Sequence, residues 1–586
     1  MGVLLQAFYT RKKGNDSTGV PCPLDGDAGA PFWWDHLATQ AQALRQAGFT
    51  AVWLPPVLKG AAGVSSVGYD TYDDYDPGSK DQKGHVPTRY GTREQLARCV
   101  AMLRANGLDV YVDLVENHRD GDTGPVPAVF RYADGRVGDP RQGPTGGRFP
   151  KDPSNFHFVP GGVPQDPNVF QDFSFGRDLA PINGQPSGYV SNGLFNAADW
   201  LTRALDLQGF RADDVKGIST DFLLPLLNHG ALRGRFAVGE FFDGDLGKLR
   251  HWMDDLMHGR CSAFDFPLRN FLAPMCNNAG FFDMSQLDHA GLAGIDPLHA
   301  VTFVEDHDTD GGDGPIVRNK AQAYAYILTS EGYPCVFYKD YSKAPGCYGL
   351  KDTLDPLIWI HEKLAGGLTQ QRWKDHDVFA YERLGGPHLL VGLNNNGVAA
   401  RTITVDTGFG PKVLLHDYTG HAGDLHTDDS GRATITIPMN TEGRGYVAYS
   451  RAGITGAFDL PAYSVTQDYE GAVDLDIPPS DDGKVTKVCR LWAAKGKAIR
   501  AEFDYDTKAW TDQTTITLEV GDPAGNRQAT RTYTKDTVPG TALEAVAPAM
   551  GWHTFQVRAA NTPSQNRRPK YKLRVTYQAP PEGIGP

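Results

Sequence analysis

Over its first two-thirds the chain alternates short apolar runs with amphipathic stretches, and this alternation limits the fold more than any other feature. Strand candidates are Val3 to Phe8, Thr50 to Leu54, Asp109 to Val115 and Phe210 to Asp213. Further on come Phe236 to Glu240, Ala263 to Phe266, Ala300 to Val304 and Pro334 to Tyr338. Helical spacing lies between them. Leu37, Ala41 and Leu44 share one face of 35–47, and Gly48 stops the run. Leu96, Val100 and Leu103 repeat the pattern before Gly107, as do the stretches from Leu194 to Leu205, Lys320 to Leu328 and Leu354 to Leu364. Eight strands with intervening helices predict a (β/α)8 barrel. The competing reading is an open doubly wound sheet. It is disfavoured because no glycine-rich phosphate loop follows the first strand.

One segment interrupts the alternation. Residues 119–193 are rich in Gly, Pro, Asp, Asn and Phe without a clear helix, and they are too long for a plain loop. They predict an inserted domain that splits the barrel into 1–118 and 194–376. From 377 short strands and turns predict an all-β domain to 454, and 455–586 reads as a further β-sandwich-like domain. A chain of 586 residues exceeds what one core holds, which agrees with several domains.

The net charge of -13 argues against nucleic acid or an anionic membrane as partner. No apolar run is long enough to span a bilayer. Strand-like residues begin at Val3 with no signal peptide ahead of them, so the chain is either cytosolic or a mature secreted form. The seven cysteines are scattered and imply no disulfide framework and no zinc spacing.

Four strand ends carry acids or histidines: Asp113 to His118, Gly209 to Asp213, Ala237 to Glu240 and Phe303 to Asp308. In a barrel these ends converge on one face. Glycoside cleavage with retention needs one ionised carboxylate and one protonated carboxyl about 5–5.5 Å apart. Asp213 is the expected nucleophile, because Arg211 lies two residues earlier on the same strand face and favours its charge. Glu240, between Val238 and the pair Phe241 and Phe242, is the expected acid, kept protonated by apolar surroundings. Asp308 would hold sugar hydroxyls. His118 and His307 suit hydrogen bonds to neighbouring hydroxyls, and Tyr69 suits stacking on a sugar face. Taken singly, each has a structural alternative: an ion pair for Arg211 and Asp213, interior packing for either histidine.

These motifs resemble the α-amylase family, glycoside hydrolase family 13, and more narrowly its archaeal-type and liquefying members. The likeness runs through Leu4 to Tyr9, Val52 to Val57, Val67 to Asp73, Asp81 to Gly84, Phe264 to Leu268, Ala323 to Gly332 and Leu357 to Glu362, and covers residues 1–450. It implies a TIM barrel with an inserted B domain and a β-sandwich C domain. It makes Asp213 the nucleophile, Glu240 the general acid/base and Asp308 the transition-state stabiliser. Tyr69, His118, Arg211 and His307 become binding groups around the cleaved bond, and Lys216 one beyond it.

The resemblance also implies calcium where the B domain meets the barrel, with Asn117, Asp178, the Gly217 carbonyl and Asp172 as ligands. A hard cation suits such oxygen donors. Zinc is not expected, since Ala180 stands near the position of the relevant cysteine. The implied substrates are starch, glycogen and malto-oligosaccharides, cut by a monomer that works outside the cell, with a cytosolic place left open. A transglycosylase, an exo-acting oligosaccharide-former and a non-catalytic glucan-binding relative stand as alternatives.

Two departures stand out. Asp306 occupies a position usually held by Asn, which argues against chloride activation; it is expected to pair with Arg211. Residues 455–586 have no counterpart in the basic enzyme. They read as a carbohydrate-binding module using Trp492, Trp510 or Trp552, or as a docking or stabilising domain with those tryptophans in its core.

Overall fold

The computed structural model describes residues 2–12, 15–119, 148–171, 176–278, 280–312, 314–458, 461–473, 485–508, 510–562 and 569–582. Eight parallel strands close a barrel. They are β1 (Leu4–Gln6), β2 (Ala51–Leu54), β3 (Asp109–Leu114), β4 (Gly209–Ala212), β5 (Phe236–Gly239), β6 (Ser262–Phe264), β7 (Ala300–Phe303) and β8 (Tyr333–Phe337). Closure occurs at β1, where Leu5 pairs with Val52 on one side and Val336 on the other. Both faces of the strands are buried, which is why they read as unbroken apolar runs rather than alternating ones.

The packed helices are α1 (Trp33–Ala47), α2 (Arg93–Ala105), α3 (Tyr189–Leu205), α4 (Thr220–Leu227), α5 (Phe266–Asn277), α6 (Lys320–Ile327) and α7 (Lys351–Leu364). Thr92 starts α2 through a reciprocal capping box with Gln95. Gly48 ends α1 with φ +105°, and a Cβ there would lie 2.8 Å from Ile358 and Phe458. Only glycine satisfies both conditions.

The described part of the inserted segment is tied down by a buried ionic cluster. Asp74, from the loops after β2, accepts hydrogen bonds from Arg119 at 2.7 Å and Lys151 at 2.6 Å, and Arg119 also reaches Glu116 at 2.9 Å. A short pairing of His118–Arg119 with Arg177–Asp178 adds a second tie.

The next domain is a six-stranded antiparallel sheet facing a two-stranded one. Its first strand, Gly366–Lys374, pairs with Val378–Gly385 and so starts ahead of residue 377. That strand is polar and largely exposed, which hid it from hydrophobic patterning. The last domain is a sandwich of two four-stranded antiparallel sheets.

This sandwich sits on α2 and α3. Arg98 of α2 lies over the rings of both Trp492 and Trp552, at 5.5 and 5.1 Å, while its guanidinium pairs with Asp35. Arg490 bonds Glu94 at 2.6 Å, and Gln467 donates to the Ala97 carbonyl at 3.1 Å. Two of the three tryptophans considered as sugar platforms therefore face the barrel. The third, Trp510, stacks on Tyr505 at 5.0 Å. All seven cysteines carry free thiols. Among the described residues no helix is long and apolar enough to cross a membrane.

Candidate active site

Arg211, in the middle of β4, organises the carboxyl-terminal mouth of the barrel. Its Nη1 donates to Asp113 Oδ1 at 2.7 Å and Asp213 Oδ1 at 2.5 Å, and its Nη2 lies 2.7 Å from Glu240 Oε2. One guanidinium thus serves carboxylates from the ends of β3, β4 and β5. Arg211 is 1% exposed. Burial works against its charge, but the neighbouring carboxylates, Asp113 foremost, hold its pKa well above the ordinary value.

Asp113 has no role in the sequence reading. The strand register sets it beside Arg211, as its Cα partner across β3 and β4. Its Oδ2 accepts hydrogen bonds from Tyr69 Oη at 2.8 Å and Trp53 Nε1 at 3.1 Å. Tyr69 is thereby fixed, and its ring stacks on His307 at 5.2 Å and 8°. Gln6 of β1 donates to His307 Nδ1 at 2.9 Å, which leaves the ring proton on Nε2, 3.3 Å from Asp308 Oδ2. His118 Nε2 bonds the Tyr69 carbonyl at 2.7 Å, so in this arrangement it holds the Tyr69 backbone.

Glu240 is buried and its pKa lies well above the ordinary carboxyl value. Burial is the main cause, and Asp213, Asp308 and Asp306 act in the same sense. Arg211 pulls the other way, but its charge is already shared with two more carboxylates. Of the apolar neighbours named for that burial, Val238 and Phe241 are buried, Phe241 packing on Trp252, while Phe242 is 51% exposed against Phe266. Two donors, Arg211 Nη2 and the Asp214 amide at 3.0 Å, converge on Glu240 Oε2. Oε1 is left to carry the proton.

Asp308 follows β7 by several residues, with its side chain 51% exposed toward the open mouth. Asp306 fixes the turn: its Oδ1 accepts the amides of Asp308 at 2.9 Å and Thr309 at 2.8 Å. The expected pairing of Asp306 with Arg211 does not occur. Its carboxylate turns back onto its own backbone, and the guanidinium is filled by Asp113, Asp213 and Glu240. Lys216 Nζ bonds the Phe242 carbonyl and the Asp243 carboxylate, each at 3.2 Å.

The residues foreseen for calcium lie beside this cluster. Asn117 Oδ1 is buried with no hydrogen-bond partner, an arrangement that suits a cation ligand. A Cβ on Gly217 would stand 2.5 Å from that oxygen, so glycine keeps the space open. Asp178 Oδ2 is 2.8 Å from His157 Nδ1, and His157 is 3.2 Å from Asp166 on its other side. Burial pushes the imidazole down, but the two carboxylates outweigh it and raise His157 to about 9. Asp172 lies outside the described residues. Asp214, which the sequence reading passed over, is raised to about 7 by burial and the Asp213 charge. The donor set of oxygen atoms around Asn117 fits a hard cation.

No protein-family model matches the chain. The glucan 1,4-α-maltohexaosidase of Bacillus sp. (strain 707) is 32% identical over 459 residues, spanning 70% of this chain and 86% of that protein. The α-amylase of Geobacillus stearothermophilus is 31% identical over 462 residues, or 70% and 81% of the two chains. The cytoplasmic α-amylase of Escherichia coli (strain K12) is 30% identical over 466 residues, or 69% and 93%. Among solved structures, the gamma-CGTase of alkalophilic Bacillus clarkii superposes with TM-score 0.55 at 17% identity, covering 99% of this chain and 97% of its own. The α-amylase of Geobacillus thermoleovorans, complexed with acarbose, gives TM-score 0.53 at 16% identity, covering 78% and 99%. Both share the fold.

Proposed function

The chain belongs to the α-amylase family, glycoside hydrolase family 13, and hydrolyses α-1,4-glucans; from this premise we propose a retaining, endo-acting mechanism with Asp213 as nucleophile, Glu240 as general acid/base and Asp308 as stabiliser. The carrying observation is the Arg211 guanidinium, which bonds Asp213 while burial and neighbouring carboxylates keep Glu240 protonated. Asp213 attacks the anomeric carbon as Glu240 Oε1 gives its proton to the departing oxygen. A glycosyl ester forms on Asp213. Ionised Glu240 then takes a proton from water, whose oxygen displaces Asp213 and restores the starting configuration.

Asp308, exposed and beside His307, is placed to bond hydroxyls of the distorted ring. Tyr69, stacked and held by Asp113 and His118, offers a rigid platform under that sugar. Lys216 reaches the sugar past the cleaved bond. Starch, glycogen and malto-oligosaccharides are the substrates, and the enzyme acts as a monomer. A polymeric substrate suits work outside the cell, although one relative is cytoplasmic by name.

Endo-action is tested by following viscosity and reducing ends together on soluble starch. Viscosity is expected to collapse while few reducing ends have appeared. The maltohexaosidase relative supports a second reading, an oligosaccharide-forming enzyme. Maltohexaose dominating from the first minutes would establish it in place of endo-action.

Asn117 Oδ1, the Asp178 carboxylate and the Gly217 carbonyl are the groups that would hold calcium. Holding a calcium ion, these oxygen ligands would tie the inserted domain to the barrel. Chelation is expected to lower the melting temperature, and calcium at a hundred times its Kd to return about 2.7 kcal/mol. Asn117→Ala is expected to melt at the same temperature with calcium or chelator. A wild type whose melting ignores calcium would refute the site.

We propose that the last domain is a docking domain. Trp492 and Trp552 are engaged by Arg98 of α2, which leaves their faces to the barrel rather than to sugar.

A further inference from the structure

An open cavity of about 430 Å³ lies away from the catalytic cluster, where the inserted segment meets α3. It shares no lining residue with the acids or with Arg211. Its size falls in the range of small-molecule sites. Tyr189, Asn192 and Asn196 of α3 line it, spaced so that one helix face carries a ring and two amides. Tyr189 is 36% exposed, and its hydroxyl donates to the Pro150 carbonyl at 2.6 Å, which fixes the ring. Phe149 packs against it at 5.4 Å, in a space kept by Gly193, where a Cβ would stand 2.1 Å from the Phe149 ring. Both asparagines are exposed, and among the described residues their amides bond no other group.

The chemistry of the lining selects the ligand. No acidic side chain lines the cavity among the described residues, so neither a metal nor a cationic group is served. The one charged residue, Arg148, pairs with Glu470 of the last domain and lies over the Tyr75 ring at 3.9 Å. Its charge is matched, which disfavours an anion. What remains is a fixed aromatic ring beside two amides, each offering both a donor and an acceptor. A pyranose needs that pairing: a ring for its apolar face and amides for adjacent hydroxyls.

We propose that this cavity is a second glucan-binding site, which takes a stretch of the α-1,4-glucan chain without cleaving it. The proposal rests on the chain acting on glucans. It holds polymer on the enzyme while the catalytic mouth works on another segment.

The test compares wild type with Asn192→Ala/Asn196→Ala in two assays. The first is adsorption to granular starch. The second is turnover of a blocked nitrophenyl maltoheptaoside, which reads the catalytic mouth alone. Alanine suits an exposed helix face, so the variant folds, and unchanged turnover confirms it. Losing two neutral hydrogen bonds predicts adsorption weaker by roughly fivefold or more, with heptaoside turnover unchanged. Adsorption equal to wild type would overturn the proposal. The catalytic mouth contributes equally to both proteins, so the difference reads the cavity alone. If neither protein cleaves the heptaoside but adsorption still differs, the hydrolytic assignment fails and the second site stands.

Discussion

Replacing Asp213 with asparagine is expected to lower starch turnover by about 10⁴-fold or more, because no covalent intermediate can form. Glu240→Gln is expected to lose on the order of 10²–10⁴-fold, the range for a positioned proton donor. The two differ on a glucosyl fluoride, whose leaving group needs no protonation. There Glu240→Gln should recover its first step and Asp213→Asn should not. Recovery by Asp213→Asn alone would show that the roles are reversed, and equal recovery by both variants would contradict the division of roles.

The same geometry sets the pH profile. Glu240 must enter the reaction protonated, so the rate falls as rising pH removes that proton. Burial and three nearby carboxylates raise its pKa, and the basic limb is expected above the ordinary carboxyl range.

Asp74→Ala is the substitution with the largest expected effect on stability. Asp74 is 1% exposed and joins Arg119 to Lys151 of the inserted segment. Its loss leaves two buried cations with Glu116 as the remaining acid of the cluster. Breaking such a pair from one side costs about 3–5 kcal/mol. Burial raises the Asp74 pKa, but Arg119 and Lys151 outweigh it and bring it from 3.8 down to about 2. A depressed pKa gives stability that is present above the unfolded value and lost as pH falls through the folded one. Wild type should therefore lose this contribution as pH drops from about 4 to about 2. The variant should lack it already at neutral pH. A denaturation series showing less than about 1 kcal/mol of difference would mean that the cluster is solvated in the folded protein.

The barrel was legible because its strands are buried on both faces and amphipathic helical stretches lie between them. The acids at the strand ends were legible for the same reason, since strand direction alone sends them to one mouth. Asp113 was not. Its role depends on the register that sets it beside Arg211, a pairing between residues 98 apart that no local pattern reports. Asp306 shows the converse. Its charge suggested a partner across the site, but two backbone amides of its own turn took it. Helices α4 and α5 contain Pro225 and Pro274, which weaken a helical reading without preventing the helix. In the last domain, aromatic content alone could not separate a sugar platform from a docking surface. Arg98, which lies over Trp492 and Trp552, belongs to another domain, and no local pattern reports that contact.

The most direct measurement is the mass of the peptides after the enzyme is trapped with a slow fluorinated glucosyl substrate. A retaining mechanism with Asp213 as nucleophile predicts that the added sugar sits on the peptide carrying Asp213. Label on the Glu240 or Asp308 peptide, or active enzyme that accumulates no label, would contradict it.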